Sequence, residues 1–134
     1  MDTFELEEEM RTALIDDADL MSLLPLGTKA IFHYVAPKTE PKRYPIIVYK
    51  PIEDVPALAG DDCEIAHRVT LKIDVVAKER DTKTELEKFQ ATCKILAKII
   101  RDLGYVRQKT TPSLTDGKLI VSFEFVKNFI CQEE

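Results

Sequence analysis

Between Val69 and Val75 the apolar residues fall on alternate positions, with Leu71 and Ile73 completing one side and Thr70, Lys72 and Asp74 the other. A repeat of two marks a β-strand with one buried face. Downstream the period becomes helical: Leu86, Phe89, Cys93, Leu96, Ala97, Ile100 and Leu103 share one stripe when each residue is turned by about 100°. The spacing predicts a long central helix. It is entered at Thr82, which forms a capping box with Glu85, and left at Gly104, a residue able to take the left-handed conformation that ends helices. Ile95 and Ile99 fall outside the stripe and widen the apolar surface of the helix's second half. Either another helix of the chain or a neighbouring subunit covers them.

The first residues predict a second helix, with Asp2 and Glu5 at its start, Leu6, Met10, Ala13 and Leu14 on one side, and Glu5, Glu8, Glu9 and Thr12 on the other. Asp16 to Asp19 interrupts it, and Leu20, Met21, Leu23 and Leu24 form a short apolar turn ended by Pro25 and Gly27. Residues 30–36 and 44–50 are rich in β-branched and aromatic side chains and read as paired or neighbouring strands. Pro45 lacks a ladder donor, which places the second at an edge or at a strand start. Residues 51–65 hold two prolines, a glycine and five acids, and read as a long loop, used for contact or left in solvent.

Beyond the long helix, the pattern predicts a short strand in 105–111, a turn in 112–117 and a final alternating strand in 118–130. Leu119, Val121, Phe123 and Phe125 form the buried side of that last strand, and Ile120, Ser122, Glu124 and Val126 the reverse. The reverse, like Thr70, Lys72, Asp74 and Val76, is less polar than a free surface requires and suits a face covered by neighbouring subunits. Isolated exposed valines and isoleucines, though, need no partner. These elements add up to an α+β fold, a mostly antiparallel sheet of about four to five strands with the N-terminal and central helices packed on one face. A single domain spans 1–134, with a flexible acidic loop at about 52–65.

Composition narrows the function. Apolar residues at 45% and charged residues at 32% are ordinary for a globular chain and argue against disorder. No apolar run approaches the roughly 20 residues that span a bilayer, and the opening MDTFELEEEMR is acidic where a signal peptide is basic, so cytoplasm is the expected site of synthesis and use. The net charge of −5 is uneven: residues 1–24 hold eight acids against Arg11 alone, a balance of −7 that leaves +2 for the rest. No basic nucleic-acid footprint follows, which disfavours tight binding of DNA or RNA.

Three cysteines, Cys63, Cys93 and Cys131, are an odd number without a CxxC pair, which argues against a disulfide framework. Cys63 and His67 are four apart but too few to hold a metal, and His33 and His67 sit singly in strand-like segments, where histidine is structural. No nucleophile motif, P-loop or GxGxxG pattern occurs. Catalytic, cofactor-binding and metal-binding residues are therefore not assigned.

A family resemblance supplies what the chemistry does not. The segments LIDDADLMSLLP (14–25), PKTEPKRYPIIVYK (37–50), DVVAKERDTKTELEKFQATCKILAKIIRDLGY (74–105) and DGKLIVSFEFV (116–126) resemble the tail-completion or tail-terminator proteins of long-tailed bacteriophages and prophages, over nearly the whole chain. The resemblance implies a structural virion protein with no enzymatic activity and no cofactor. Such a protein works as a ring, usually a hexamer, that caps the tail tube and joins it to the head connector, with DNA passing through the lumen. The implied partners are the chain itself, the tail-tube protein and the head-completion protein, without membrane. Assembly would take place in host cytoplasm before incorporation into the tail or neck.

On that reading Ile95 and Ile99 of the helix, Lys72, Asp74 and Glu124 of the sheet's reverse, and Glu53, Asp54, Asp61 and Asp62 of the acidic loop are the candidate subunit or partner contacts. The acidic loop is longer than the family pattern leads one to expect. A head-completion or neck protein competes closely. A small α+β ligand-binding or regulatory module, with 51–65 covering a pocket, is the reading from a different class, and an enzyme comes third.

Overall fold

The alternation centred on Leu71 produces the middle strand of a five-stranded sheet. The computed structural model of the protein describes residues 3–24, 27–33, 45–59, 64–78, 83–115 and 117–130. Its elements are α1 (Thr3–Asp16), α2 (Ala18–Leu23), a 3-10 turn (Gly27–Ala30), β1 (Ile31–His33), β2 (Ile46–Ala59), β3 (Glu64–Lys78), α3 (Lys83–Asp102), β4 (Val106–Thr115) and β5 (Lys118–Ile130). The strands lie in the order β1-β2-β3-β5-β4. All neighbours run antiparallel except β1 and β2, which are parallel over Ile31↔Ile47 to His33↔Tyr49. The expected α+β sheet with helices on one face is what forms.

Val69, Leu71, Ile73 and Val75 are at most 1% exposed. They meet Leu6, Met10 and Leu14 of α1, Leu20 of α2, Phe89, Leu96 and Ile100 of α3, and Phe123 and Phe125 of β5 in one apolar cluster. Each fully buried Leu or Ile contributes about 1.5–3 kcal/mol by leaving water. Asp17 caps α2, its Oδ1 accepting from the Leu20 amide at 2.9 Å. Within α3 the buried Thr92 donates its hydroxyl to the Lys88 carbonyl at 2.7 Å, so its polar atom is satisfied. The predicted cap residue Thr82 lies outside the described residues, as do 34–36 of the first predicted strand.

Two expectations are corrected. Residues 51–59 continue β2, and β3 begins at Glu64, so the expected long loop is mostly a β-hairpin arm; residues 60–63 lie outside the described ones. The prolines that suggested a loop sit beside register breaks at Pro51/Glu53 and Pro56/Leu58, where an extra residue relieves the ladder of a donor that proline lacks. Likewise β4 runs through the predicted turn as far as Thr115. Pro112 is tolerated there because β4 is an edge strand.

Candidate functional site

Directly opposed residues on neighbouring strands share a face, so the register fixes what each side of the sheet displays. On the side away from α3, one row across the strands is Lys50, Lys72, Glu124 and Lys109, and the next is Val48, Asp74, Ser122 and Thr111. Lys72, Asp74 and Glu124, picked out from the sequence, therefore stand together. All three are half-buried, and Val76 and Val126 beside them are buried at 6% and 8%. Asp74 Oδ1 is buried and has no hydrogen-bond partner among the described residues. Such an orphaned acceptor costs about 1–3 kcal/mol.

The helical side is covered unevenly. Ile95 and Ile99 are half-buried and pack against the core, on a helix that also meets α1 and α2. Much of their surplus apolar surface is thus used within the chain. Toward the β4 edge no helix follows among the described residues, and two adjoining hollows of about 470 and 360 Å³ open between α3 and β4–β5. They share Lys94, Ala97 and Arg107. Phe89, Cys93, Ala97, Phe123 and Phe125 give the groove an apolar floor. Lys94, Lys98, Arg101 and Arg107, all exposed, rim it with positive charge.

Sequence reading missed these cations, although Lys94, Lys98 and Arg101 follow one flank of the α3 stripe at helical spacing. Burial holds the Cys93 thiol up at about 11. The thiol is thus a poor nucleophile and part of an apolar wall.

A third hollow, of about 370 Å³, also lies at the Val106 end of β4, around Arg68, Gly104 and Gln108. Among the described residues, the three hollows are lined by α3, β3, β4, β5 and the turn between α3 and β4. Glu53 is exposed on β2. Asp54 lies on the same strand, and Asp61 and Asp62 fall outside the described residues. Among the described residues no group of three or more His, Cys, Asp or Glu is placed to hold a metal, and no helix is long and apolar enough to cross a membrane. His67 packs against the Phe129 ring at 5.2 Å, part of the apolar end of the sheet.

The site is therefore a set of surfaces, and comparison with known proteins agrees with that character. The family model described as tail completion protein gp17 matches residues 8–133. The chain belongs to this family. It is a bacteriophage tail structural protein, associating with other tail components of the virion. No curated protein matches the chain.

Proposed function

We propose that this tail completion protein closes the end of the tail tube and joins it to the head connector as a ring, of six copies on the family pattern, around a passage for DNA. The family match over residues 8–133 is the observation that carries this reading. The surfaces support it: the half-covered reverse of the sheet at Lys72, Asp74 and Glu124, with its orphaned Asp74 oxygen, is the kind of face a partner completes. The remaining exposed parts of Ile95 and Ile99, and the acids Glu53, Asp54, Asp61 and Asp62, are the other contacts assigned to subunits, tail-tube protein or head-completion protein. A structural role with no enzymatic step accords with a protein whose distinctive features are faces, and assembly takes place in host cytoplasm.

The test is to add purified protein to tail tubes assembled without it, and to follow tube length and ends by electron microscopy. Tubes that stop growing and carry a ring-shaped cap bear the proposal out. Tubes that elongate unchanged, with the protein monomeric in sedimentation at every concentration, refute it. Replacing Ile95 and Ile99 together by Lys then separates two roles: a folded chain that no longer caps places them in the interface, and an unfolded one places them in the core.

A further inference from the structure

The groove between α3 and β4 and the β2–β3 arm have opposite charge. The groove presents Lys94, Lys98, Arg101 and Arg107 around an apolar floor. The arm, residues 51–65, contains Glu53, Asp54, Asp61, Asp62 and Glu64, no Lys or Arg, and the apolar residues Val55, Pro56, Ala57 and Leu58. It has the chemistry to fill the groove floor and neutralise its rim.

The strand-paired part of the arm cannot seat in the groove of its own chain. Antiparallel pairing with β5 holds β3 as far as Ala66↔Ile130, so β5 stands between the arm and β4. Seating it there would require unzipping the centre of the sheet. Groove and arm belong to opposite sides of the strand order, one at the β4 edge and the other on β2–β3. Two different patches that complement one another make a head-to-tail contact, the kind that closes rings of more than two copies.

From this complementarity we infer that the α3–β4 groove receives the β2–β3 arm of a second copy of this chain. The inference rests on the ring proposed above and names the contact that builds it. Rim charges steer the acidic arm, and desolvation of Phe89, Cys93, Phe123 and Phe125 holds it. Association through this contact weakens as salt rises, because the exposed charges are screened within about 8–10 Å at ordinary ionic strength.

The experiment is carbodiimide cross-linking of a 1:1 mixture of ¹⁴N- and ¹⁵N-labelled protein assembled on tail tubes, read by mass spectrometry. The expected products join Lys94 or Lys98 of one isotope to carboxylates in residues 53–64 of the other. A matching variant series uses sedimentation of the same assemblies. Lys98→Glu with Arg101→Glu, or Asp61→Lys with Asp62→Lys, weakens assembly at least about tenfold, equal to about 1.4 kcal/mol, and all four changes in one chain restore it.

Rings that form without these cross-links, or whose groove lysines join tail-tube or head-protein carboxylates instead, overturn this inference and leave the ring proposal standing. Groove lysines shielded only when DNA is present also overturn it. Tubes that never acquire a multimer of the chain overturn both.

Discussion

The Lys127 ammonium donates a hydrogen bond to the Leu103 carbonyl at 2.6 Å, tying β5 to the end of α3. The same nitrogen lies 4.8 Å from the centre of the Phe129 ring and 5.4 Å from that of Tyr105. A cation at a helix C-terminus faces the negative end of the helix dipole. Replacing it with Met keeps the apolar stem and removes the charge. Lys127→Met is expected to lower stability by about 2 kcal/mol, the range for a hydrogen bond to a charged group, seen as a lower midpoint in urea with an unchanged slope.

Gly104 completes that helix end. Its amide donates to the Arg101 carbonyl at 2.9 Å and the Tyr105 amide to the Ile100 carbonyl at 3.4 Å, the paired bonds of a Schellman turn. Its φ is 97°, and a Cβ there would stand 3.1 Å from Lys127 Cε. Gly104→Ala therefore meets both backbone strain and a close neighbour, and thermal unfolding is expected to show a loss of about 1–3 kcal/mol. A variant as stable as the parent would mean the turn relaxes into another form.

Asp74 makes the opposite prediction for the isolated chain. Asp74→Val removes a buried, unpartnered oxygen from a strand, between Val48 and Ser122, and supplies a residue that favours strands. The free protein should gain about 1 kcal/mol. If a partner's donor meets this oxygen in the assembly, the same variant caps tails less well. Greater stability with unchanged capping would place Asp74 outside the interface.

Alkaline behaviour follows from Tyr105 and Cys93. Burial first, and the negative charge of Glu9 second, push the Tyr105 phenol up to about 12, and burial pushes the Cys93 thiol to about 11. Both groups are neutral when protonated and ionise more easily in the unfolded chain, from 10.0 and 9.0 respectively. Their stabilising effect is complete below those unfolded values and is lost as pH rises through the folded ones. Unfolding midpoints should fall between pH 9 and 12, and Tyr105→Phe should flatten the upper part of that fall. Alkylation of Cys93 by iodoacetamide at pH 8 should be much slower in the folded protein than in urea.

How much of this was legible in the sequence depended on whether the signal was local. Leu71 and its alternating neighbours, and the Leu96–Ile100 stripe, announced β3 and α3 because a strand or helix with one buried face writes its period into the chain. The arm was misread because Pro51 and Pro56 are turn signals unless a bulge in their own strand absorbs them, and such a bulge shows only once β2 is paired with β3. Pro112 misled for a related reason, since only the strand order reveals an edge. The groove could not be read at all: Arg107 joins Lys94 and Lys98 only because β4 extends past the cover that α3 provides. The apolar reverse of the sheet was visible in the alternation of Val126 and Glu124, but the orphaned oxygen of Asp74 needed three-dimensional packing to appear.

The register breaks of the arm bear on its shape. Ile52 and Ala57 are extra residues on β2, and Ile65 is the extra one on β3, within one hairpin. Each such insertion bends its strand and tightens the local right-handed twist. The curvature of the arm is thus written covalently, three times over, before any encounter. A projection pre-bent in this way gives up little freedom when it is captured, and deleting Ile52 or Ala57 would change where it points without altering a single charge.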